Sequence, residues 1–227
     1  MKYKSCPFLL SLKHNNRLKY PKFFWRINMT QQAFEQTVAL MDAANNEDPN
    51  IETADGKEWP KELLYSHRMA DMIERYKPMA DHVMQLAVRG QHIQRWKSPR
   101  DVYPMDRKGY HQWRTQLYTF HADTTAELMA KAGFDEESLE RVRQAVGKKG
   151  IKVNKDTQML EDVAGLVFIE HYMLAFAEKH PEYDEEKWID IIRKTWRKMS
   201  SDAHEFALSG DLKLPEPLIP LIQKSVS

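Results

Sequence analysis

Histidine, arginine and aromatic side chains are concentrated in one stretch of the chain, from Leu86 to His121. A folded core contains few such groups, because a buried polar atom without a partner costs about 1–3 kcal/mol. Guanidinium groups bind phosphate and carboxylate through paired hydrogen bonds, and flat rings pack against planar molecules. The stretch therefore indicates the lining of a site for an anionic, planar ligand. Its residues of these types are His92, His111, His121, Arg89, Arg95, Arg100, Arg107, Arg114, Trp96, Tyr103, Tyr110, Trp113, Tyr118 and Phe120.

Basic side chains beside aromatic rings are the candidates for binding the ligand. Each one taken alone is typical of an ordinary solvated charge. As a set they favour a cradle for phosphate and a planar group, because guanidinium groups both pair with phosphate and stack on rings. The predicted binding residues are Arg95, Trp96, Arg107, Tyr110, Arg114, Lys194 and Lys198.

Ionisable groups within apolar segments are the second set of candidates. Asp162 lies in the most apolar run of the chain, residues 159–176, and must be paired or bound, because burying an unpaired carboxylate costs several kcal/mol. Either a metal ion or an arginine such as Arg68 or Arg114 would satisfy it. His92 fits a core residue as well as a ligand-binding one, and His121 fits a ring bonded to a backbone carbonyl as well as a ligand.

Composition places the chain among soluble globular proteins of one domain. It has 227 residues, of which 42% are hydrophobic and 30% are charged. No apolar run approaches the roughly 20 residues that span a bilayer, so no membrane segment is expected. The single cysteine, Cys6, excludes a disulfide framework within the chain and suits a reducing compartment, which predicts a cytoplasmic protein.

The charge is unevenly distributed along the chain. Residues 1–28 contain seven Lys or Arg and no Asp or Glu, which leaves 27 basic and 33 acidic residues in the body of the protein. A mildly acidic body argues against general nucleic-acid binding. The segment 1–28 fits a disordered basic arm, a targeting segment or sequence upstream of a start at Met29, and we favour the last. The predicted domain then covers residues 29–227, with Thr30 as the cap of its first helix.

Hydrophobic periodicity predicts helices throughout the body and no strand. Capping residues, prolines and glycines set the expected ends of these helices, for example Asp135 before a helix and Gly133 after one. The fold class predicted is all-α, a single-domain helical bundle. The expected helices cover about 30–45, 60–76, 78–94, 107–132, 135–147, 159–176, 185–199 and 201–208.

Three strings in this helical order resemble motifs of the HD-domain superfamily of metal-dependent phosphohydrolases and its di-iron oxygenase branch. They are Leu64-Tyr-Ser-His-Arg-Met69, residues 87–95 and Leu160-Glu-Asp-Val-Ala-Gly-Leu166. Two registers fit. In one, His67 is the first histidine of the motif and His92 follows 25 residues later. In the other, Tyr65 replaces the first histidine and Gln91-His92 replaces the His-Asp pair.

The resemblance implies a divalent metal (zinc, manganese or iron) bound by His92, His121 and Asp162, with Glu161 positioning the attacking water. Tyr65, His67, Gln91 and His171 are the further candidates. The expected function is metal-dependent hydrolysis of a phosphorylated small molecule or nucleotide. Two alternatives stay open, namely a degenerate domain that binds a nucleotide or a tRNA-related partner, and an iron oxygenase.

Residues 30–225 also resemble an uncharacterised family of bacterial and fungal proteins that often carries the name glutamyl-tRNA synthetase. The shared strings are Arg89-Gly-Gln-His-Ile-Gln-Arg-Trp96, Tyr103-Pro-Met-Asp-Arg107, Trp113-Arg114 and Leu160-Glu-Asp-Val163. Lys198-Met-Ser-Ser201 is similar to a synthetase signature. However, the chain has neither a His-Ile-Gly-His motif nor the alternating strands and helices of a Rossmann domain, so the sequence does not favour synthetase activity.

Overall fold

A computed structural model describes residues 22–226, with side chains from residue 30 onward. Residues 1–21, most of the predicted basic extension, lie outside the described residues. Helix α1 spans Lys22–Asn45, so Thr30 lies inside it and the prediction that Thr30 caps its start was wrong. No helix in the described part of the chain is both long and apolar enough to span a membrane.

The predicted all-α fold is confirmed. The remaining helices are α2 (Lys61–Tyr76), α3 (His82–Gly90), α4 (Arg107–Lys131), α5 (Glu136–Val146), α6 (Lys155–Val167), α7 (Met173–Glu178), α8 (Glu185–Trp196), α9 (Ser201–Leu208) and α10 (Ile219–Val226). Short 3₁₀ turns cover 95–97, 100–102 and 216–218. Side chains at several helix starts accept the hydrogen bond of a free backbone N–H, which stabilises each helix by about 1 kcal/mol. These caps are Asp81, Asp106, Asp135, Asn154, Asp184 and Ser200.

A small antiparallel hairpin precedes α2, and the prediction of no strand was wrong here. Strand β1 (Ile51–Ala54) pairs with β2 (Lys57–Pro60), with Ile51 opposite Pro60. Asp55 and Gly56 have φ values of 52° and 72°, as a two-residue hairpin turn requires. Strands of four residues are too short for an alternating pattern to be recognised in the sequence. Because Pro60 belongs to β2, α2 begins at Lys61 instead of at Pro60.

The core lies where α2, α3, α5 and α6 pack against one another, with α4 covering α5. The predicted core residues of α2 are all buried, namely Leu63, Leu64, Met69, Met72 and Ile73. Burying an apolar side chain of this size contributes about 1.5–3 kcal/mol. This packing fixes the directions of α2, α3 and α6 relative to one another.

Two predicted helices are interrupted near the site. Helix α3 ends at Gly90, where a side chain would collide with Thr125, and Gln94 then adopts a left-handed φ of 51°. The apolar run 159–176 forms α6 and α7, joined by the π-helical turn Phe168–Tyr172. Widened turns of this kind occur frequently beside functional sites.

Candidate functional site

A cavity of about 540 Å³, the outer chamber, opens between α2, the turn after α3, α6 and the end of α8. This volume is in the range of small-molecule sites, roughly 300–1,000 Å³. Two carboxylates, Glu62 and Glu161, lie in the same wall as the basic groups, and Phe168 and Tyr172 of the π-helical turn supply an aromatic side. The basic residues that line the outer chamber are Lys61, Arg95, Arg114, Lys148 and Lys198.

A smaller cavity of about 220 Å³, the inner chamber, adjoins the outer one. It reaches towards α4, which contributes Tyr110, Trp113, Tyr118 and His121 to its wall. The two chambers are parts of one site, because they share the residues Gln91, His92, Arg95, Arg114 and Lys148.

Two buried polar residues, the last residue of α1 and one in the loop after it, hold the outer chamber together. The Asn45 amide donates to the Glu62 carbonyl at 3.4 Å and accepts from the Gln94 N–H at 3.0 Å. Asp48 accepts from the Glu62 N–H at 3.0 Å. The first turn of α2 is thereby fixed against the turn that presents Arg95.

His92 connects a carboxylate to a guanidinium. Its Nε2 lies 2.9 Å from Arg95 Nη1, and its Nδ1 lies 3.5 Å from Glu62 Oε2. A guanidinium only donates hydrogen bonds, so Nε2 accepts and the ring proton is on Nδ1, facing Glu62. Burial, reinforced by the nearby cations Arg95 and Lys148, holds the pKa of His92 well below its usual value. The neutral ring also stacks on Tyr65, with 4.1 Å between centroids.

Glu62 is a buried carboxyl group with an unusual proton affinity. Burial raises its pKa from 4.5 to about 7, although the charges of Arg95 and Lys61 act in the opposite direction. Near neutral pH the group therefore exists in both protonation states. A carboxyl group of this kind in a cavity is suited to accepting or donating a proton.

Lys148 and Glu161 form a buried ion pair in the wall of the outer chamber. Their side chains are only 10% and 13% exposed. Burial alone would raise the pKa of Glu161, but the charge and hydrogen bond of Lys148 outweigh it and hold the pKa below its usual value. The Lys148 backbone has a left-handed φ of 56°, which costs a residue with a Cβ about 1–2 kcal/mol. Such strain is concentrated at functional sites.

The aromatic rings of α4 orient arginines. The Arg114 Nε donates to the Tyr118 hydroxyl and its Nη1 donates to the Tyr110 hydroxyl, both at 3.0 Å. The Arg114 guanidinium also lies against both rings, and that of Arg95 lies 5.1 Å from the centre of the Trp113 ring. The rings that were expected to stack on a planar ligand therefore each contact a guanidinium group of the protein itself.

The predicted metal ligands do not form one site. His92 and His121 are neighbours, with 5.9 Å between ring centroids. Asp162, however, lines neither chamber, and its carboxylate accepts from Ser200 N at 2.7 Å, Ser200 Oγ at 2.6 Å, Gln158 Nε2 at 2.8 Å and Tyr76 OH at 3.1 Å. Across residues 22–226 no group of three or more His, Cys, Asp or Glu is placed to hold a metal ion. The prediction of a metal bound by His92, His121 and Asp162 was wrong, because protein donors satisfy Asp162 elsewhere.

Other predicted residues divide between the chambers and the surface. Those that line a chamber are Tyr65, Gln91, His92, Arg95, Tyr110, Arg114, His121, Glu161 and Lys198. Arg107 is exposed, Trp96 is half-buried, and Lys194 pairs with Asp190 on the surface. His67 lies beside Asp42, and His171 lies beside Glu170. These five residues line neither chamber, so the structure does not bring them together with the other predicted site residues.

Several cavity residues carried no signal in the sequence. Glu62 lies two residues after Pro60 and has the pattern of an ordinary acidic residue in a first helical turn. Lys148 lies in the loop Gly147-Lys-Lys-Gly150, where a lysine is typical of solvent exposure. The other lining residues that were missed are Lys61, Ala164, Gly165, Phe168, Tyr172 and Thr195.

Fold and cavity together define an all-α domain built around a cationic site with two chambers. Residues 35–222 match the family model described as Domain of unknown function (DUF4202), and the chain belongs to that family. The matched range includes every residue of both chambers. Neither the comparison with curated proteins nor the comparison with solved structures gives a match.

Proposed function

We propose that the protein binds a phosphorylated small molecule, with the phosphate held by Arg95, Arg114 and Lys148. The observation that carries the proposal is the convergence of these three cations, from separate segments of the chain, on the wall shared by both chambers. Lys61 and Lys198 add positive charge to the outer chamber. Arginines arranged in this way are typical of phosphate recognition.

The two arginines of the site have unused binding capacity. Within residues 30–226, neither Arg95 nor Arg114 forms an ion pair with a carboxylate. The bonds of Arg114 to the two tyrosine hydroxyls use three of the five N–H donors of a guanidinium. An anion would satisfy the other two donors and offset the mutual repulsion of the cations.

Binding can be tested with the intact protein by calorimetry and thermal unfolding in the presence of inorganic phosphate and nucleoside monophosphates. We expect a phosphate compound to raise the unfolding temperature, and Arg114→Met to weaken its binding at least tenfold. Arg107→Met is the matched control, because Arg107 lies on the same helix but outside the chambers. Absence of binding by any phosphate compound, or equal affinities for the Arg114 and Arg107 variants, would refute the proposal.

A second candidate function is hydrolysis of the bound phosphate ester, and the position of Glu62 favours it. In its ionised form the carboxylate accepts a proton from water while the water oxygen bonds to phosphorus. The ester bond breaks, and the departing oxygen takes a proton from solvent. Neutral His92 supports the step through its Nδ1–H, which faces Glu62.

Hydrolysis is measured as the release of inorganic phosphate from the esters that bind. We expect Glu62→Gln to lose turnover while it retains ligand affinity, because the amide keeps the shape of the side chain but accepts no proton. If the wild type binds esters without releasing phosphate, the hydrolase proposal fails and the binding proposal stands.

A further inference from the structure

Two residues that line the inner chamber each have a buried polar atom with no hydrogen-bond partner among the residues the structure describes, namely His121 Nε2 and Gln91 Oε1. His121 is 2% exposed and Gln91 is 8% exposed. An unpaired buried polar atom costs about 1–3 kcal/mol, so native proteins rarely contain two in one place. Both residues line the inner chamber, so a bound group is the natural partner for these atoms.

The state of the His121 ring follows from its other nitrogen. Nδ1 lies 2.9 Å from the Ile93 carbonyl oxygen, which only accepts hydrogen bonds, so Nδ1 carries the ring proton. Burial and the neighbouring His92 lower the pKa of His121 to about 3, although the bond to Ile93 acts in the opposite direction. The ring is therefore neutral at physiological pH, and Nε2 presents a lone pair that needs a donor.

Gln91 is the second residue with a buried polar atom that lacks a hydrogen-bond partner. It follows α3 directly and lines both chambers. Its buried oxygen requires a donor, and the reverse orientation of the amide would instead require an acceptor. A hydroxyl group satisfies both cases, because it donates one hydrogen bond and accepts others. Since each hydroxyl has a single donor, two acceptors require two hydroxyls.

The lining of the inner chamber disfavours two other kinds of donor, an ammonium group and a nucleobase. An ammonium group would be repelled by Arg95, Arg114 and Lys148, which line the same chamber. A nucleobase would stack on an aromatic ring, but Trp113 and Tyr110 already lie against guanidinium groups of the protein. The chamber volume of about 220 Å³ is below that of a complete ligand site, roughly 300 Å³ or more, so only part of a ligand enters it.

We infer that the inner chamber binds hydroxyl groups of a phosphorylated sugar or polyol, with His121 Nε2 and Gln91 Oε1 as the acceptors. The phosphate of the same molecule lies against the cations that the two chambers share. This inference rests on the proposed function, because it assumes that the shared cations bind phosphate. It adds the class of ligand and the two residues that select it.

The test compares phosphate esters that have free hydroxyl groups with one that has none. Binding to the intact protein is measured by calorimetry for ribose 5-phosphate, glucose 6-phosphate and sorbitol 6-phosphate, and for ethyl phosphate, which has no free hydroxyl on carbon. We expect at least one hydroxylated ester to bind ten times more tightly than ethyl phosphate. Gln91→Met should reduce that preference at least fivefold.

Two further variants complete the experiment. Gln112→Met makes the same change on α4 at an exposed position outside both chambers, and it should keep the full preference. His121→Phe should lose the preference as Gln91→Met does, and if His121→Phe does not fold, Gln91→Met alone decides. The inference is overturned if all the esters bind equally, or if Gln91→Met keeps the full preference for the hydroxylated ester over ethyl phosphate. In both cases the proposal of phosphate binding stands. If neither these esters nor inorganic phosphate binds, the proposed function itself fails.

Discussion

Glu161 and Asp162 are consecutive residues of α6 that have entirely different surroundings. Glu161 lines the outer chamber and pairs with Lys148, whereas Asp162 accepts two hydrogen bonds from Ser200 and lines neither chamber. Neighbours on a helix are rotated by about 100°, and here the Glu161 carboxylate meets Lys148 while the Asp162 carboxylate meets Ser200. Asp162 instead fixes the turn between α8 and α9, which also carries Lys198.

Asp162→Ala should therefore reduce stability without removing any chamber residue. The variant leaves the donors of Ser200, Gln158 and Tyr76 without their acceptor. We expect the free energy of unfolding to fall by about 3 kcal/mol, which for a protein of this size lowers the unfolding temperature by about 6–12 °C. Urea and thermal unfolding measure both quantities.

Asp190→Ala is the control for that prediction. Asp190 forms an exposed ion pair with Lys194, and such pairs contribute little to stability. The structural role assigned to Asp162 would be contradicted if the two alanine variants unfolded at the same temperature.

Much of the fold could be predicted because its signals are local. The cap at Asp135 and the apolar stripe of α2 depend only on residues within a few turns. The hairpin at 51–60 was missed because its strands are short, and the π-helical turn was missed because periodicity does not reveal a widened turn. The boundary of a helix also depends on tertiary contacts, as Gly90 against Thr125 illustrates.

The site was predictable only in part. Arg95 and Arg114 were identified because arginines and rings are close together in the sequence, and the structure places both arginines in the chambers. The metal triad was expected from a resemblance in motif, but the partner of Asp162 is Ser200, 38 residues away, and no local pattern indicates it. Lys148 was missed for the same reason, since only the fold brings its loop beside Glu161.

Stability should depend on pH through Glu62. Its pKa in the folded protein, about 7, exceeds the ordinary value of 4.5. The contribution of Glu62 to the free energy of unfolding is therefore full below pH 4.5 and is lost as the pH rises through 7. The difference in pKa corresponds to about 3 kcal/mol. We expect the free energy of unfolding of the wild type, relative to Glu62→Gln, to fall by about that amount between pH 4.5 and 7.5.

Comparison with Glu62→Gln removes the contributions of other titrating groups, which both proteins share. Glu47→Gln serves as the control, because Glu47 is an exposed carboxylate of the loop after α1. A relative free energy that stays constant across this pH range in Glu62→Gln would show that Glu62 titrates normally.

The metal content of the purified protein should not change when the residues predicted to bind metal are substituted. His92 accepts a hydrogen bond from Arg95, and Asp162 is already saturated with protein donors. We expect His92→Ala and Asp162→Asn to contain the same amount of metal as the wild type by elemental analysis, and chelator treatment to leave phosphate affinity unchanged. Stoichiometric metal that is lost in both variants would contradict this prediction.

Lys148 and Lys152 offer a comparison in which the backbone is matched and the surroundings differ. Both have positive φ values, 56° and 73°, but Lys152 is exposed, whereas the Lys148 side chain is only 10% exposed and pairs with Glu161. Glycine has no Cβ and therefore relieves the backbone strain at either position, but it loses more conformational entropy on folding than lysine does. The net effect that we expect for Lys152→Gly is a stabilisation of about 0.5 kcal/mol. Lys148→Gly should destabilise it, because the Glu161 carboxylate stays buried without its partner. Calorimetry should show phosphate affinity at least tenfold weaker in Lys148→Gly alone, and equal affinities in the two variants would exclude Lys148 from the binding site.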